Sequence, residues 1–295
     1  MVNRRHATSN GQLATGDGPR TMDGLKWAQQ SRELAKTVKS LIEALALRPR
    51  EHIALVGGGG KTTLMFALAD ELRRNGKRVF ASTTTKVWHR EALEYEKVLL
   101  VEHDGDWKNK KAEGLSIERS AFVGKSILDT GKVEGISATL ADEIFHDSTV
   151  DYLVLEADGS AGRPLKAPAE HEPVIPCSVT MVVAMMGLEA VNARLDEETA
   201  FRVEQVRTVT GLNPGDLLTP RALSRVFLHP VGLFKGTPES ARRVVFLNKG
   251  DLIKEEEKVE ELAGILLDEA AKKIDRVILG SVMDGVYRII KKMAS

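Results

Sequence analysis

The sequence predicts an α/β fold with a mostly parallel sheet and helices on both of its faces. Short, continuously apolar runs alternate with longer stretches in which apolar residues recur at helical spacing, a pattern typical of strands buried on both sides. One apolar run leads directly into four glycines that open a helical pattern. The predicted strands are residues 53–56, 78–82, 97–101, 150–155, 179–185, 243–247 and 276–279.

A glycine-rich turn follows the first of these strands. It consists of Gly57, Gly58, Gly59, Gly60, Lys61, Thr62 and Thr63. Residues without side chains let backbone N–H groups, here those of residues 58–61, point at an anion, and the helix N-terminus adds a positive end. In such a loop the lysine contacts the β- and γ-phosphates and the next threonine binds Mg²⁺. The turn therefore predicts a P-loop NTPase-like fold that binds ATP or GTP; the alternative is a turn without a ligand.

Two acidic residues, Glu156 and Asp158, follow the strand predicted at residues 150–155. Beside a phosphate-binding loop, a carboxylate at a strand end holds Mg²⁺, often through water. We expect Thr62 and Glu156 to bind the metal. Lys61, Glu156 and Asp158 form the expected catalytic set, in which Asp158 or a threonine among residues 83–85 orients the attacking water. The alternative is a strand followed by an acidic turn.

A second nucleotide signal lies after the strand predicted at residues 243–247. There Asn248, Lys249 and Asp251 form the pattern N-K-x-D. A carboxylate in this position accepts hydrogen bonds from the N1–H and amino groups of guanine, and the lysine stem covers the ring. The pattern favours GTP over ATP, although asparagine, glycine and aspartate after a strand are also ordinary turn residues.

Two further segments are candidates for binding a second substrate. Thr84, Thr85 and Lys86 follow a predicted strand, at the edge of the sheet where ligands bind in open α/β folds. Arg163, Lys166 and His171 lie in a proline-rich stretch after the acidic residues, and they suit an anionic substrate or transition-state charge. Solvated side chains are the alternative. Cys177 is expected to be a core residue rather than a nucleophile.

Composition limits the class of protein. Lysine plus arginine and aspartate plus glutamate both number 42, so no net charge favours nucleic acid or a membrane surface. The single cysteine excludes an internal disulfide and a multi-thiolate metal site. No apolar stretch is long enough to cross a bilayer, and the chain lacks an apolar signal core near its start. We expect a cytoplasmic protein.

Three regions are predicted along the 295 residues. Residues 1–22 are polar and are expected to form a disordered tail. Residues 23–50 carry apolar positions at helical spacing and predict an N-terminal amphipathic helix that ends near Pro49. Residues 51–295 are expected to form the P-loop NTPase-like domain, with a helical insertion at about 190–237.

Taken together, these motifs resemble the YqeC family, whose members are regarded as accessory proteins for selenium-dependent molybdenum hydroxylases. The resemblance rests on the glycine-rich turn, residues 83–86, the acidic and proline-rich block at 156–176, and residues 248–251. It covers roughly residues 51–291, and the block at 156–176 is its most specific part. It implies a P-loop NTPase linked to selenium cofactor assembly, with a molybdenum hydroxylase as client.

The leading hypothesis is a Mg²⁺-dependent nucleoside triphosphatase, with GTP favoured, that assists maturation of such a hydroxylase. One alternative is a kinase whose small-molecule acceptor is bound by Arg163, Lys166 and His171. Another is a nucleotide-binding carrier without enzymatic activity. A kinase consumes triphosphate only when its acceptor is present, whereas an NTPase switch responds to a protein partner.

Overall fold

The computed structural model of the chain describes residues 36–93, 95, 97–103, 119–269 and 274–290. Its described strands are β1 (Lys36–Val38), β2 (Glu51–Gly57), β3 (Val79–Thr83), β4 (Lys86–Trp88), β5 (Val98–Leu100), β6 (Ser120–Gly124), β7 (Lys132–Glu134), β8 (Tyr152–Glu156), β9 (Leu165–Lys166), β10 (Met181–Gly187), β11 (Ala200–Phe201), β12 (Arg242–Asn248), β13 (Arg276–Ser281) and β14 (Val286–Ile290). Its described α-helices are α1 (Leu41–Leu45), α2 (Lys61–Arg74), α3 (His89–Ala92), α4 (Ala138–His146), α5 (Val203–Thr210), α6 (Pro220–Leu228) and α7 (Glu256–Glu269).

Ten strands form one central sheet in the order β1-β14-β13-β12-β10-β2-β8-β3-β6-β5. Every pair from β13 to β5 is parallel, while β14 runs antiparallel to both β13 and β1. Two small sheets lie outside it: β9 pairs with β11, and β4 forms an antiparallel ribbon with β7.

Helices cover both faces of the sheet. Alternate residues of each strand point to opposite faces, so Ile53 and Leu55 of β2 pack in the apolar cluster that contains α1 and α2. Ala54 and Val56 face the other way, into the cluster formed by α5, α6 and α7. Helix α4 covers β3, β6 and β8 in a third cluster. The predicted α/β class, with a mostly parallel sheet between two helical layers, is confirmed.

The parallel arrangement brings several predicted site residues to one edge of the sheet. Strand β2 lies between β8 and β10, and its carboxyl end carries Gly57. The carboxyl ends of the other parallel strands lie at the same edge, so Glu156 of β8, Thr83 of β3 and Asn248 of β12 belong to the same end of the domain. This is where open α/β sheets bind ligands.

The single helix predicted at residues 23–50 is wrong over its described part. Lys36–Val38 is a strand on the free edge of β14, and the helix that follows spans only Leu41–Leu45. Ser40 ends the strand and caps the short helix, because its extended backbone lets its hydroxyl accept the N–H of Glu43. Edge pairing has overridden the helical periodicity of the sequence. The tail predicted at residues 1–22 lies outside the described residues.

The segment predicted as a helical insertion contains two helices, α5 and α6, joined by irregular chain. Both pack on the sheet through buried residues such as Val206, Leu223 and Phe227. The segment is therefore part of one covering layer. No helix in the described ranges is long and apolar enough to cross a membrane.

Candidate functional site

The glycine-rich turn connects β2 to α2 through an unusual backbone path. Gly57, Gly59 and Gly60 have positive φ angles of 96°, 78° and 115°, a region that residues with a Cβ rarely adopt. Gly60 is the N-cap of α2 and offers no side chain for capping. As at any helix start, the N–H groups of Lys61, Thr62 and Thr63 lack intrahelical acceptors. They form the positive end of α2.

Each glycine also allows a different segment to approach the turn. A Cβ on Gly57 would lie 2.2 Å from Met185 O, on Gly58 2.5 Å from Arg163 O, on Gly59 2.1 Å from Gly187 N, and on Gly60 2.7 Å from Asn248 Nδ2. All four distances are shorter than van der Waals contact. The turn is therefore enclosed by β10, β12 and the chain at residues 163–164, and packing alone requires glycine at these positions.

Some backbone amides expected to face phosphate are already used within the protein. The N–H of Gly58 donates to Met185 O and that of Gly59 to Arg163 O, each at 3.0 Å. The prediction that the amides of residues 58–61 all bind phosphate is therefore wrong for these two. The amides that remain directed outward begin at the first turn of α2.

Lys61 lies beneath this first turn and is almost fully buried. Its Nζ donates to Gly57 O at 2.7 Å and to Ser160 Oγ at 3.3 Å, and it lies 3.2 Å from Asp158 Oδ1. Asp158 also accepts the N–H of Gly57 on both carboxylate oxygens, at 3.1 and 3.2 Å. The carboxylate thus holds the lysine and the end of β2 together.

A second lysine completes this buried ion-pair network. Lys166 Nζ lies 3.2 Å from Asp158 Oδ2 and 2.6 Å from Glu172 Oε2, and Arg202 pairs with the same Glu172 oxygen. Burial lowers the pKa of Lys166, while Asp158 and Glu172 oppose that shift. Lys166 is fully buried between these two carboxylates, and its predicted role in binding a second substrate stays a prediction. Lys61 and Arg202, the other members of the network, come from distant parts of the chain.

The Glu156 carboxylate and the Thr62 hydroxyl lie next to each other beside the lysine. Glu156 is buried, and its Oε1 has no hydrogen-bond partner within the part of the chain that the structure describes. Burial raises the pKa of this carboxyl group, whereas the Lys61 charge and the Thr62 hydroxyl lower it. A cation at Oε1 would compensate this buried charge. The residues therefore fit Mg²⁺, which is typically bound by one or two protein oxygens plus phosphate and water. No cluster of three or more His, Cys, Asp and Glu ligands occurs within the described ranges.

The threonines after β3 lie next to this pair. Thr83 is in register with Glu156, and its hydroxyl donates to Glu156 O at 3.1 Å. The hydroxyl of Thr84 donates to Val174 O at 3.1 Å. Thr84 and Thr85, together with Thr62 and Glu156, line an open cleft of about 860 Å³. The structure thus confirms that residues 83–85 and the acidic strand end are neighbours.

The same cleft gathers residues that sequence reasoning missed. Besides the predicted Lys86 and His171, its lining includes Trp88, Arg90, Lys132 and Arg202. The wall contains two strands of three residues each, which are too short to show a clear periodicity in the sequence. Arg163 does not line the cleft, and its charge is among the minor influences that lower the pKa of Asp196, after the N–H of Thr199. Its predicted place beside the γ-phosphate stays a prediction.

The N-K-x-D segment contacts the glycine-rich turn directly. Asn248 is buried, its Nδ2 donates to Gly59 O at 2.8 Å, and its Oδ1 accepts the N–H of Val282 at 3.1 Å. Lys249 pairs with Glu189. Asp251 lies on a short 3₁₀ turn with its side chain exposed, and it has no ion pair with another described residue. Asn248 therefore fastens the turn, while Asp251 is free to meet a ligand.

Cys177, predicted as a core residue, is exposed. Its neighbour Ser178 holds this segment at the surface by hydrogen bonds to Asp142 at 2.6 and 2.8 Å.

Comparison with known proteins places this site in a family. The YqeC family model, described as YqeC protein, matches residues 53–204. Uncharacterized protein YqeC of Escherichia coli (strain K12) is 35% identical over 201 residues, which cover 67% of this chain and 75% of that protein.

Solved structures show more distant similarities. The hydrogenase maturation factor HypB from Archaeoglobus fulgidus aligns with a TM-score of 0.38 and 15% identity, over 89% of this chain and 91% of that one. Chloroplast FtsY from Physcomitrella patens aligns with a TM-score of 0.39 and 14% identity, over 89% of this chain and 69% of that one. Both structural similarities are distant.

The close packing of the turn makes a steric prediction. Gly58→Ala should lower the free energy of unfolding by about 1–3 kcal/mol, because the new methyl group meets the backbone carbonyls of residues 163 and 164. Gly159→Ala is the matched control, since a methyl group there meets no atom within 4 Å. Urea unfolding of the nucleotide-free protein measures both. Equal effects of the two substitutions would contradict the packing described for the turn.

The buried carboxylate makes a pH-dependent prediction. Because the pKa of Glu156 is raised on folding, its ionisation removes stability as the pH rises from the ordinary carboxyl value through the raised pKa. Glu156→Gln should therefore raise the Tm of the nucleotide-free protein by roughly 2–4 °C at about pH 8, with a smaller gain near pH 4.5. The exposed control Glu170→Gln should change neither value. A Tm for Glu156→Gln at or below that of the parent at pH 8 would show that the carboxylate is fully compensated by Lys61.

Proposed function

Since this chain belongs to the YqeC family, we propose that it binds a Mg²⁺–nucleoside triphosphate at residues 57–63 and hydrolyses it, with GTP preferred over ATP. The observation that carries the proposal is the buried Glu156 carboxylate beside Thr62 at the start of α2, whose Oε1 has no hydrogen-bond partner among the described residues. Two oxygen ligands beside a buried lysine and a positive helix end suit a metal-bound polyphosphate.

The chain's own residues have distinct tasks in this proposal. The ammonium of Lys61 and the outward amides of the first turn of α2 bind the β- and γ-phosphates. Thr62 and Glu156 hold Mg²⁺, which when bound neutralises charge on the phosphate oxygens. Asp158 acts through Lys61 as a positioning residue, because both of its oxygens are already engaged.

Orientation of the attacking water belongs to the threonines rather than to Asp158. Thr84 and Thr85 line the cleft that opens beside Thr62 and Glu156, whereas Asp158 is fully buried. The hydroxyl of Thr84 donates to Val174 O, and that of Thr85 lies 3.1 Å from the hydroxyl of Thr83. The Thr85 oxygen keeps a lone pair that can accept a hydrogen bond from the attacking water on the cleft side. Hydrolysis is slow when a threonine hydroxyl only orients the attacking water. A slow reaction suits a switch that is activated by a partner.

Base preference rests on the N-K-x-D segment. Asn248 ties this segment to the carbonyl of Gly59, so a nucleotide bound at the turn has its base near residues 249–251. The exposed carboxylate of Asp251 suits the N1–H and amino groups of guanine, which form two donors side by side. The corresponding edge of adenine offers an acceptor at N1, so ATP leaves the carboxylate mismatched.

The wider role follows from the family resemblance. We infer a cytoplasmic accessory factor that uses the nucleotide to assist maturation of a selenium-dependent molybdenum hydroxylase. The block at 156–176 is linked to the proposed triphosphate site, because Asp158 and Glu172 in this block belong to the same ion-pair network as Lys61.

A phosphotransferase is the second candidate, and one observation favours it. The cleft of about 860 Å³ opens directly at Thr62 and Glu156, where an acceptor would face the γ-phosphate. This volume exceeds what a single attacking water needs. A kinase would consume GTP only when its acceptor is present, whereas the NTPase hydrolyses GTP without one.

The base assignment yields a test. The parent protein should bind Mg²⁺–GTP at least about tenfold more tightly than Mg²⁺–ATP, a difference of roughly 1.4 kcal/mol. Asp251→Asn should lose this preference and bind XTP better than GTP, because the amide presents the complementary pattern to xanthine. Calorimetric titration with GTP, ATP and XTP measures these affinities. The exposed helix residue Asp268 provides the control substitution Asp268→Asn. If the parent binds GTP and ATP equally well, and Asp251→Asn has the same affinities, the assignment of GTP is wrong.

A further inference from the structure

One wall of the cleft is the β4–β7 ribbon, which has two chemically different faces. Trp88 pairs with Lys132, and Lys86 pairs with Glu134, so these side chains share one face. Val87 and Val133 point the other way and are buried. The face that carries the polar residues and the tryptophan lines the cleft. The apolar face packs against the rest of the protein, and the polar face with Trp88 is available to a ligand.

Positive charge is concentrated around Trp88 on this face. Lys132 Nζ lies 4.6 Å from the centre of the Trp88 ring, and the Arg90 guanidinium lies 5.7 Å from it. Trp88 is 44% exposed, which is high for a large aromatic side chain. The ring keeps two cations close together at the mouth of the cleft.

These cations are not neutralised by the acids that also line the cleft. Glu134 lies 3.0 Å from Lys125, which stands outside the cleft lining. Glu172 is paired with Lys166 and Arg202, and Glu91 accepts the N–H of Trp88 at 3.1 Å. By contrast, Arg90 and Lys132 have no carboxylate within ion-pair distance among the described residues, whereas Lys86 lies opposite Glu134 on the ribbon. Arg90 and Lys132 are therefore the cations of this face that remain available to an anion.

We propose that this cleft binds a small organic oxyanion, a carboxylate- or phosphate-bearing molecule, through Arg90 and Lys132 on the Trp88 face. The volume of about 860 Å³ suits a molecule of metabolite or cofactor size. The inference of a binding site follows from the geometry of the ribbon alone. Its role as a second-substrate site rests on the proposed function, in which Thr62 and Glu156, which line the same cleft, hold the metal of the nucleotide.

The test uses the full chain with Trp27→Phe and Trp107→Phe, which leaves Trp88 as the only tryptophan. Citrate and inorganic phosphate serve as probes, titrated at constant ionic strength by calorimetry and by Trp88 fluorescence. We expect saturable binding of one or both anions with a change in Trp88 emission. The Arg90→Glu/Lys132→Glu variant should bind at least about tenfold more weakly. The control Lys39→Glu/Lys254→Glu makes the same change in net charge at exposed positions outside the cleft and should bind like the parent.

Titrations with Mg²⁺–GTP separate this proposal from the proposed function. Lys61→Ala should lose nucleotide affinity and keep anion binding, whereas Arg90→Glu/Lys132→Glu should keep nucleotide affinity, which also shows that it folds. Anion binding without any nucleotide binding by the parent would overturn the proposed function and leave the cleft site standing. Absence of saturable anion binding by the parent, or an equal loss in the Lys39→Glu/Lys254→Glu control, would overturn the cleft site.

Discussion

The buried carboxylate of Asp158 is the interaction on which the rest of the site depends. It accepts the N–H of Gly57 and lies 3.2 Å from both Lys61 and Lys166. A charge this deeply buried is tolerable only when paired, and removal of one partner of a buried pair costs about 3–5 kcal/mol. The network continues through Glu172 to Arg202, a residue of the cleft wall. The glycine-rich turn and the cleft are therefore joined by one set of ion pairs.

Backbone packing around the turn explains the block at residues 156–176. The N–H of Gly59 donates to Arg163 O, and that of Gly187 donates to Pro164 O, both at 3.0 Å. Residues 163–164 thus lie between the turn and the end of β10. Without a Cβ at Gly58 and Gly59, these backbones approach closely enough for the hydrogen bonds to form. The most specific part of the family resemblance is the segment that encloses the glycine-rich turn.

Much of this arrangement was predictable because parallel strands present their carboxyl ends at one edge of a sheet. That rule places Lys61, Glu156 and Asn248 together from apolar runs and motifs alone. Pairings between distant residues were not predictable, since nothing local marks Arg202 as a partner of Glu172. The ribbon at Trp88 was missed for a related reason, because strands of three residues carry little periodicity. At the N-terminus, edge pairing with β14 defeated a helical pattern that local sequence favoured.

The affinity of the parent protein and of Lys61→Ala for Mg²⁺–GTP tests the central claim most directly. If Asp158 holds the Lys61 ammonium for the β- and γ-phosphates, loss of that charge should weaken binding by about 1.5–3 kcal/mol, or at least about tenfold. Circular dichroism and thermal unfolding establish that the variant is folded. Equal affinity of the folded variant and the parent for Mg²⁺–GTP would contradict the account, because the glycine-rich turn would then owe its residues to packing alone.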